Sequence, residues 1–197
     1  MNILKCYINK KICNSSYKND NYMDWLFNLL SPIVVGVKPA EIISFPPIDK
    51  NREDKIIFLK EFFKDDENVE IAEFPYCIGC KKMFIYNKKA LDKTLKDKRV
   101  INFLNAYGYP KTYKLDAYLN ILLEKFREEI PHEIGIFLGY PIKDVMGFMG
   151  CKNLKLTKTR GWKVYGDPKL SDYKYERIMK IRKIHEKLYK EHLNIAN

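Results

Sequence analysis

Three short stretches of the chain carry side chains whose types and spacing could do chemistry. The first is Cys77-Ile78-Gly79-Cys80. Two thiols three positions apart in a turn are close enough to oxidise together, or to supply half of a closed zinc site, which needs four ligands. The other three cysteines, Cys6, Cys13 and Cys151, form no second pair of this kind. A thioredoxin-like motif stands before a helix, whose N-terminus lowers the thiol pKa, whereas the residues after Cys80 pattern as a strand. Cys77 and Cys80 are therefore candidate metal ligands only alongside the plainer reading of two small residues in a turn.

The second stretch is Pro131-His132-Glu133, followed by Gly135 and Gly139. A histidine titrates near neutrality, and one held rigidly after a proline can be presented to a cleft as an acid–base group. In an extended run, neighbours point to opposite faces, so His132 and Glu133 are not a dyad. Their spacing is also not the HExxH of zinc proteases. His132 is the candidate catalytic residue, its alternative being a hydrogen-bonded histidine at an element boundary. The third stretch, Arg160-Gly161-Trp162-Lys163-Val164-Tyr165-Gly166, alternates cations with aromatic surface. On a strand it could hold an anion or stack on bases, or be an edge strand with one buried ring. With Lys38 it supplies the candidate ligand-binding residues Lys38, Arg160, Lys163 and Tyr165.

The elements that must position these groups follow from periodicity and breakers. Residues 1–19 are polar and read as a loosely held N-terminal arm. Tyr22 to Leu30 has the helical period, and Ser31-Pro32 should end it. Ile33 to Val37 reads as a buried strand, and Ile42 to Phe45 as a second. A helix is expected over Asp49 to Lys64, then a hairpin of Val69–Phe74 and Lys82–Tyr86 around the cysteine pair. Short helices follow near Lys88–Leu95 and Asp97–Tyr107, and a stronger one over Asp116–Glu129. The run from Pro131 to Pro141 reads as buried extended chain, with Pro141 opening a helix to about Met149. Residues 161–165 form the last strand, and Asp172 to about Leu193 a long basic helix. This predicts one α+β domain over 20–170, with a small, mainly antiparallel or mixed sheet, a β-hairpin and several packing helices. Residues 171–197 add a basic C-terminal helix.

The 197 residues carry 36 basic and 25 acidic side chains, a formal charge of +11. Lysine supplies 30 of the 36, and Lys, Ile, Asn and Tyr together make up about 41% of the chain. All four are encoded by A/T-rich codons, so codon bias explains much of the charge, and a dedicated phosphate grip would use more arginine. From Lys152 to Asn197 the net charge is +8, against +3 for the first 151 residues. A nucleic acid or acidic protein would therefore dock on 152–197. Five scattered cysteines, no signal-peptide pattern and no apolar run of about 18 residues predict a cytoplasmic protein with reduced thiols and no membrane partner. No GxGxxG, phosphate-binding GxxxxGK, nucleophile elbow or EF-hand occurs, which disfavours enzymes of those kinds and leaves both the cofactor and an enzymatic activity open.

The segment from Pro131 to Pro141, with Asp144-Val145 and Gly147-Phe148 after it, resembles an uncharacterised bacterial family catalogued as a domain of unknown function and common in anaerobic low-GC bacteria. Ser31-Pro32, Gly36-Val37-Lys38-Pro39-Ala40, Tyr86-Asn87 with Leu91, Phe103-Leu104 to Gly108-Tyr109, and Trp162-Lys163-Val164-Tyr165 are similar to it in the same order. Together they span most of residues 22–170. The resemblance implies a cytosolic bacterial protein and brings no activity with it. The residues themselves lead to one primary expectation: a cleft lined by Lys38, His132, Arg160 and Tyr165 that binds a small anionic metabolite or cofactor. Its alternatives are a nucleic-acid or acidic-partner binder and a metal or redox module at Cys77/Cys80.

Overall fold

Strand β3 (Lys81–Asn87) organises the molecule, because its side chains alternate between two separate apolar cores. Met83 and Ile85 face one core; Phe84 and Tyr86 face the other, as the two-residue repeat of a strand requires. β1 (Ala40–Phe45) and β2 (Val69–Glu73) flank β3 on either side, both antiparallel to it. The computed structural model describes residues 2–13, 21–74 and 80–195, with side chains at 3–10, 21–74 and 80–191. The hairpin turn, Cys77 included, lies outside the described residues.

One face of the sheet packs on α1 (Asn2–Cys13), α2 (Asn21–Val34) and α3 (Arg52–Phe63). The other packs on α4 (Lys88–Leu95), α5 (Lys98–Asn105), α6 (Leu115–Lys125), α7 (Ile134–Phe137) and α8 (Ile142–Phe148). A two-stranded ribbon, β4 (Leu156–Arg160) and β5 (Trp162–Tyr165), leans on α8. Helix α9 (Lys169–Ile195) then runs roughly 40 Å at 1.5 Å per residue. Near its start Ser171 bonds to α8, and towards its end Leu188 and Tyr189 enter the first core, with the buried His185 ring 6.2 Å from that of Tyr7. The architecture is α+β, with small antiparallel sheets and a long C-terminal helix.

Four expectations are corrected. Over Asn2–Cys13 the loose arm is a helix, and its buried Leu4, Tyr7 and Ile8 belong to the first core. Its polar residues conceal an apolar stripe that only the neighbouring helices complete. Helix α2 does not stop at Ser31-Pro32 but runs through it to Val34. Proline has no N–H to give the Asn28 carbonyl, and the Ser31 hydroxyl donates to that oxygen instead, at 2.7 Å. The helix ends only at Gly36, in the left-handed region, where Val37 and Gly36 donate back to Pro32 and Ile33. The strand expected at 33–37 is therefore a helix end.

The run from Pro131 to Pro141 is not extended either: it holds α7 and a second left-handed stop at Gly139. A short apolar run buried on all sides does not reveal by period whether it is helix or strand. Finally, β4 had no signal at all, since four of its five residues are exposed and none alternates.

The two helix stops meet. A Cβ on Gly139 would lie 2.5 Å from Pro39 Cδ, so the 36–41 loop is seated on this glycine. Gly139→Ala adds both that clash and a left-handed alanine, and should cost about 2 kcal/mol or more of stability by urea denaturation. An unchanged midpoint would show that the two loops are not in contact.

Candidate functional site

Pro39 and Gly139 line a cation-rich cleft with a volume of about 420 Å³. Its walls come from four places in the chain: the loop after α2, helices α4 and α5, the turn at 139–142, and the first turns of α9. Five cations line it: Lys38, Lys93, Arg99, Lys174 and Arg177. Two of them are answered locally. Lys38 is buried with its Nζ 2.5 Å from Glu41 Oε2, and Arg99 lies 2.6 Å from Asp97 Oδ2. The other three have no carboxylate within ion-pair distance among the described residues. Lys174 Nζ donates to the Gly139 carbonyl at 2.8 Å, and burial lowers its pKa by penalising the ammonium. The Arg177 guanidinium lies 5.6 Å from the Tyr173 ring, which is exposed at the cleft mouth.

Beyond Tyr140, which lines both, lies a second, largely apolar cavity of about 330 Å³. It is bounded by Ile130 to His132, Ile134, Gly135, Tyr140, Asp144, Val145, Phe148, Trp162 and Lys163. The wall between the cavities is held by Asp144, only 2% exposed. Its Oδ1 accepts from Lys143 Nζ at 2.5 Å and from the Tyr165 amide at 2.9 Å. Its Oδ2 accepts from Trp162 Nε1 at 2.8 Å and from the Ser171 hydroxyl at 2.6 Å. Four donors fill the four lone-pair positions of a carboxylate, so one side chain ties α8, β5 and α9 together. Trp162, fixed in this way, stacks on Tyr140 with ring centres 4.8 Å apart.

The residues picked from sequence do not share one cleft. Lys38 lines the basic cleft, while His132 and Lys163 line the apolar cavity. Arg160 ends β4, 3.5 Å from Asp172 and stacked over Tyr175 at 4.5 Å. Tyr165 is held by its backbone, to Asp144 and Lys143, with its ring packed over Gly147. His132 is exposed, its ring edge-on to Phe148 at 5.2 Å. Glu133 points inward, 3% exposed and 2.6 Å from Lys125 Nζ, so it buttresses the segment from below. Cys80 is half-buried, and Cys77 lies outside the described residues. Among the described residues no three His, Cys, Asp or Glu side chains are grouped as metal ligands.

Sequence reasoning missed Lys93 and Arg99 altogether, and placed Lys174 and Arg177 only in the basic 152–197 stretch as a polyanion dock, not in a cleft. Lys174 and Arg177 carried a weak signal, being three apart and so on one face of a helix. Lys93 and Arg99 carried none, since a helix break separates them.

A sheet with apolar cores on both faces, and a cation-lined cleft between the α7–α8 elbow and the last helix, define an α+β protein. The chain belongs to the family described as "Protein of unknown function (DUF3793)", whose model matches residues 26–197. No curated protein and no solved structure matches it significantly. Among the described residues no helix is long and apolar enough to cross a membrane.

Two outcomes follow from this geometry. Replacing Asp144 by alanine strands four donors around a buried site and should cost about 3 kcal/mol or more, read by chemical denaturation, since bonds to a charged group are each worth about 1.5–3 kcal/mol. Asp97 is held at a pKa of about 2, first by its side-chain bond from Arg99 and then by the Arg99 amide at the start of α5. Because the folded value is depressed, the stabilisation is complete above the ordinary carboxylate range and is lost as pH falls towards about 2. The stability gap between the wild type and Asp97→Asn should therefore be constant from pH 7 to about 4 and shrink below it. A gap that stays unchanged between pH 4 and pH 2 would contradict the assignment.

Proposed function

We propose that the protein binds a small multivalent anion, a phosphorylated or polycarboxylate metabolite, in the cleft between Lys38 and Arg177. The observation that carries this reading is the surplus of charge: five cations face one ligand-sized space, and Glu41 and Asp97 answer only two of them. Three cations held together repel one another, and an anion with two or more charges relieves that cost. Lys174 supports the same reading, because burial penalises its ammonium and an anion arriving beside it offsets that penalty. A space of this size suits a metabolite rather than a polymer. No reaction is assigned. His132 is on the rim of the other cavity, and its neighbour Glu133 is engaged with Lys125.

A second reading rests on the outer face of α9, where Lys180, Lys183 and Lys187 border an open groove next to Arg160. Such a row suits an extended polyanion, a nucleic acid or an acidic segment of a protein.

Calorimetry with pyrophosphate tests the first reading. Saturable binding is expected, weakened about tenfold by Lys93→Gln and by Arg177→Gln, since each loses roughly one charge-assisted hydrogen bond. The triple variant Lys180→Gln, Lys183→Gln, Lys187→Gln should leave pyrophosphate binding intact. If that triple variant instead abolishes binding, or if retention on heparin falls steeply with salt and depends on those lysines, the second reading replaces the first.

A further inference from the structure

The apolar cavity behind Tyr140 is a separate site from the basic cleft, and its chemistry can be derived from what its walls have left over. We infer that it binds a small aromatic carboxylate, with the ring among Trp162, Phe148 and His132 and the carboxylate on Lys163.

The apolar part of the argument is surface. Ile130 is 50% exposed and Phe148 45% exposed, and both line a cavity that also takes in Ile134, Val145 and Trp162. Apolar area left open around a concave space of about 330 Å³ is the arrangement a ligand covers. The shape of the occupant follows from the rings. His132 stands edge-on to Phe148 at 88°, and Trp162 is pinned flat against Tyr140 by its bond to Asp144. Fixed faces and edges of this kind favour another aromatic ring, which gains from offset and edge contacts beyond its buried area.

The polar part of the argument is charge. Two ionic side chains reach the cavity, Asp144 and Lys163. Asp144 already accepts four hydrogen bonds, two on each oxygen, and so has no capacity for a cation on the ligand. Lys163 has its Nζ 5.2 Å from the centre of the Phe148 ring, and no carboxylate within ion-pair distance among the described residues. The uncommitted charge at the mouth is therefore positive, and it sits directly over the apolar surface. An apolar ring carrying one negative charge complements both at once.

The test is calorimetry on the full chain with 3-phenylpropionate, its uncharged amide 3-phenylpropanamide, and hexanoate. The acid should bind saturably, with the amide and hexanoate each at least about fivefold weaker. Lys163→Gln, at an exposed position and so not expected to change the melting temperature, should bring the acid down to the amide's affinity and leave the amide unchanged. Phe148→Ala should weaken acid and amide alike. Arg177→Gln should change neither, which places the site away from the basic cleft. Equal affinity of acid and amide, an acid that ignores Lys163→Gln, hexanoate as good as the aromatic acid, dependence on Arg177, or no saturation by 10 mM would each overturn the inference.

Discussion

A single buried carboxylate determines how the second half of the chain is arranged. Asp144 accepts from a lysine, an indole, a backbone amide and a serine hydroxyl, and these donors come from α8, β5 and α9. A charge so far from water persists only where its lone pairs are filled, and here they are filled by groups distant in sequence. The consequence is positional. β5 cannot slide along α8, Trp162 cannot leave Tyr140, and the start of α9 is set against the α7–α8 elbow. Both cavities owe their walls to this arrangement. The bond from Lys174 to the Gly139 carbonyl and the seat of Pro39 on Gly139 then close the basic cleft from the other side.

Helix α9 connects this region to the rest of the protein. Its first turns carry Lys174 and Arg177 into the cleft, and its later turns carry Leu188 and Tyr189 into the core formed with α1 and α2. At that end Tyr189 donates to Asp24, and Asn28 donates to the Arg182 carbonyl. Burial on one face and lysines on the other make a single helix both a structural strap and the main carrier of positive charge. The net +11 thereby acquires structure: part is neutralised locally, as at Lys38 and Arg99, part faces solvent along α9, and part is gathered without counter-charge in one concavity.

The two cavities differ in kind although one tyrosine lines both. One is rich in cations and suits a ligand that brings several negative charges. The other is apolar with one uncommitted ammonium and suits a ligand that is mostly ring. The elbow from Ile134 to Phe148 contributes to both, with Ile136, Gly139, Pro141 and Ile142 on the cleft side and Ile134, Gly135, Val145 and Phe148 on the other.

Much of this fold was legible from residue order alone. Breakers and periods locate α3 to α6, α8, β1, the β2–β3 hairpin, β5 and the long last helix, because each follows from its own residues or those a turn away. Asp97 caps α5 as its position before the helix demands, and Lys81–Asn87 shows in sequence the unbroken run of a strand covered on both faces. The failures share a cause. Pro32 lies inside a helix because Ser31 takes over a bond; α1 is held because other helices complete its stripe; β4 exists because β5 pairs with it. None of these partners is local. The same holds for function. The sequence alone determined which residues carry charge, which rings and glycines cluster near His132, and that lysine outnumbers arginine five to one. Only the tertiary structure decided that Lys38 meets Lys174 and Arg177 rather than His132, because cleft walls assemble from segments more than a hundred residues apart, and no periodicity in a chain encodes that distance.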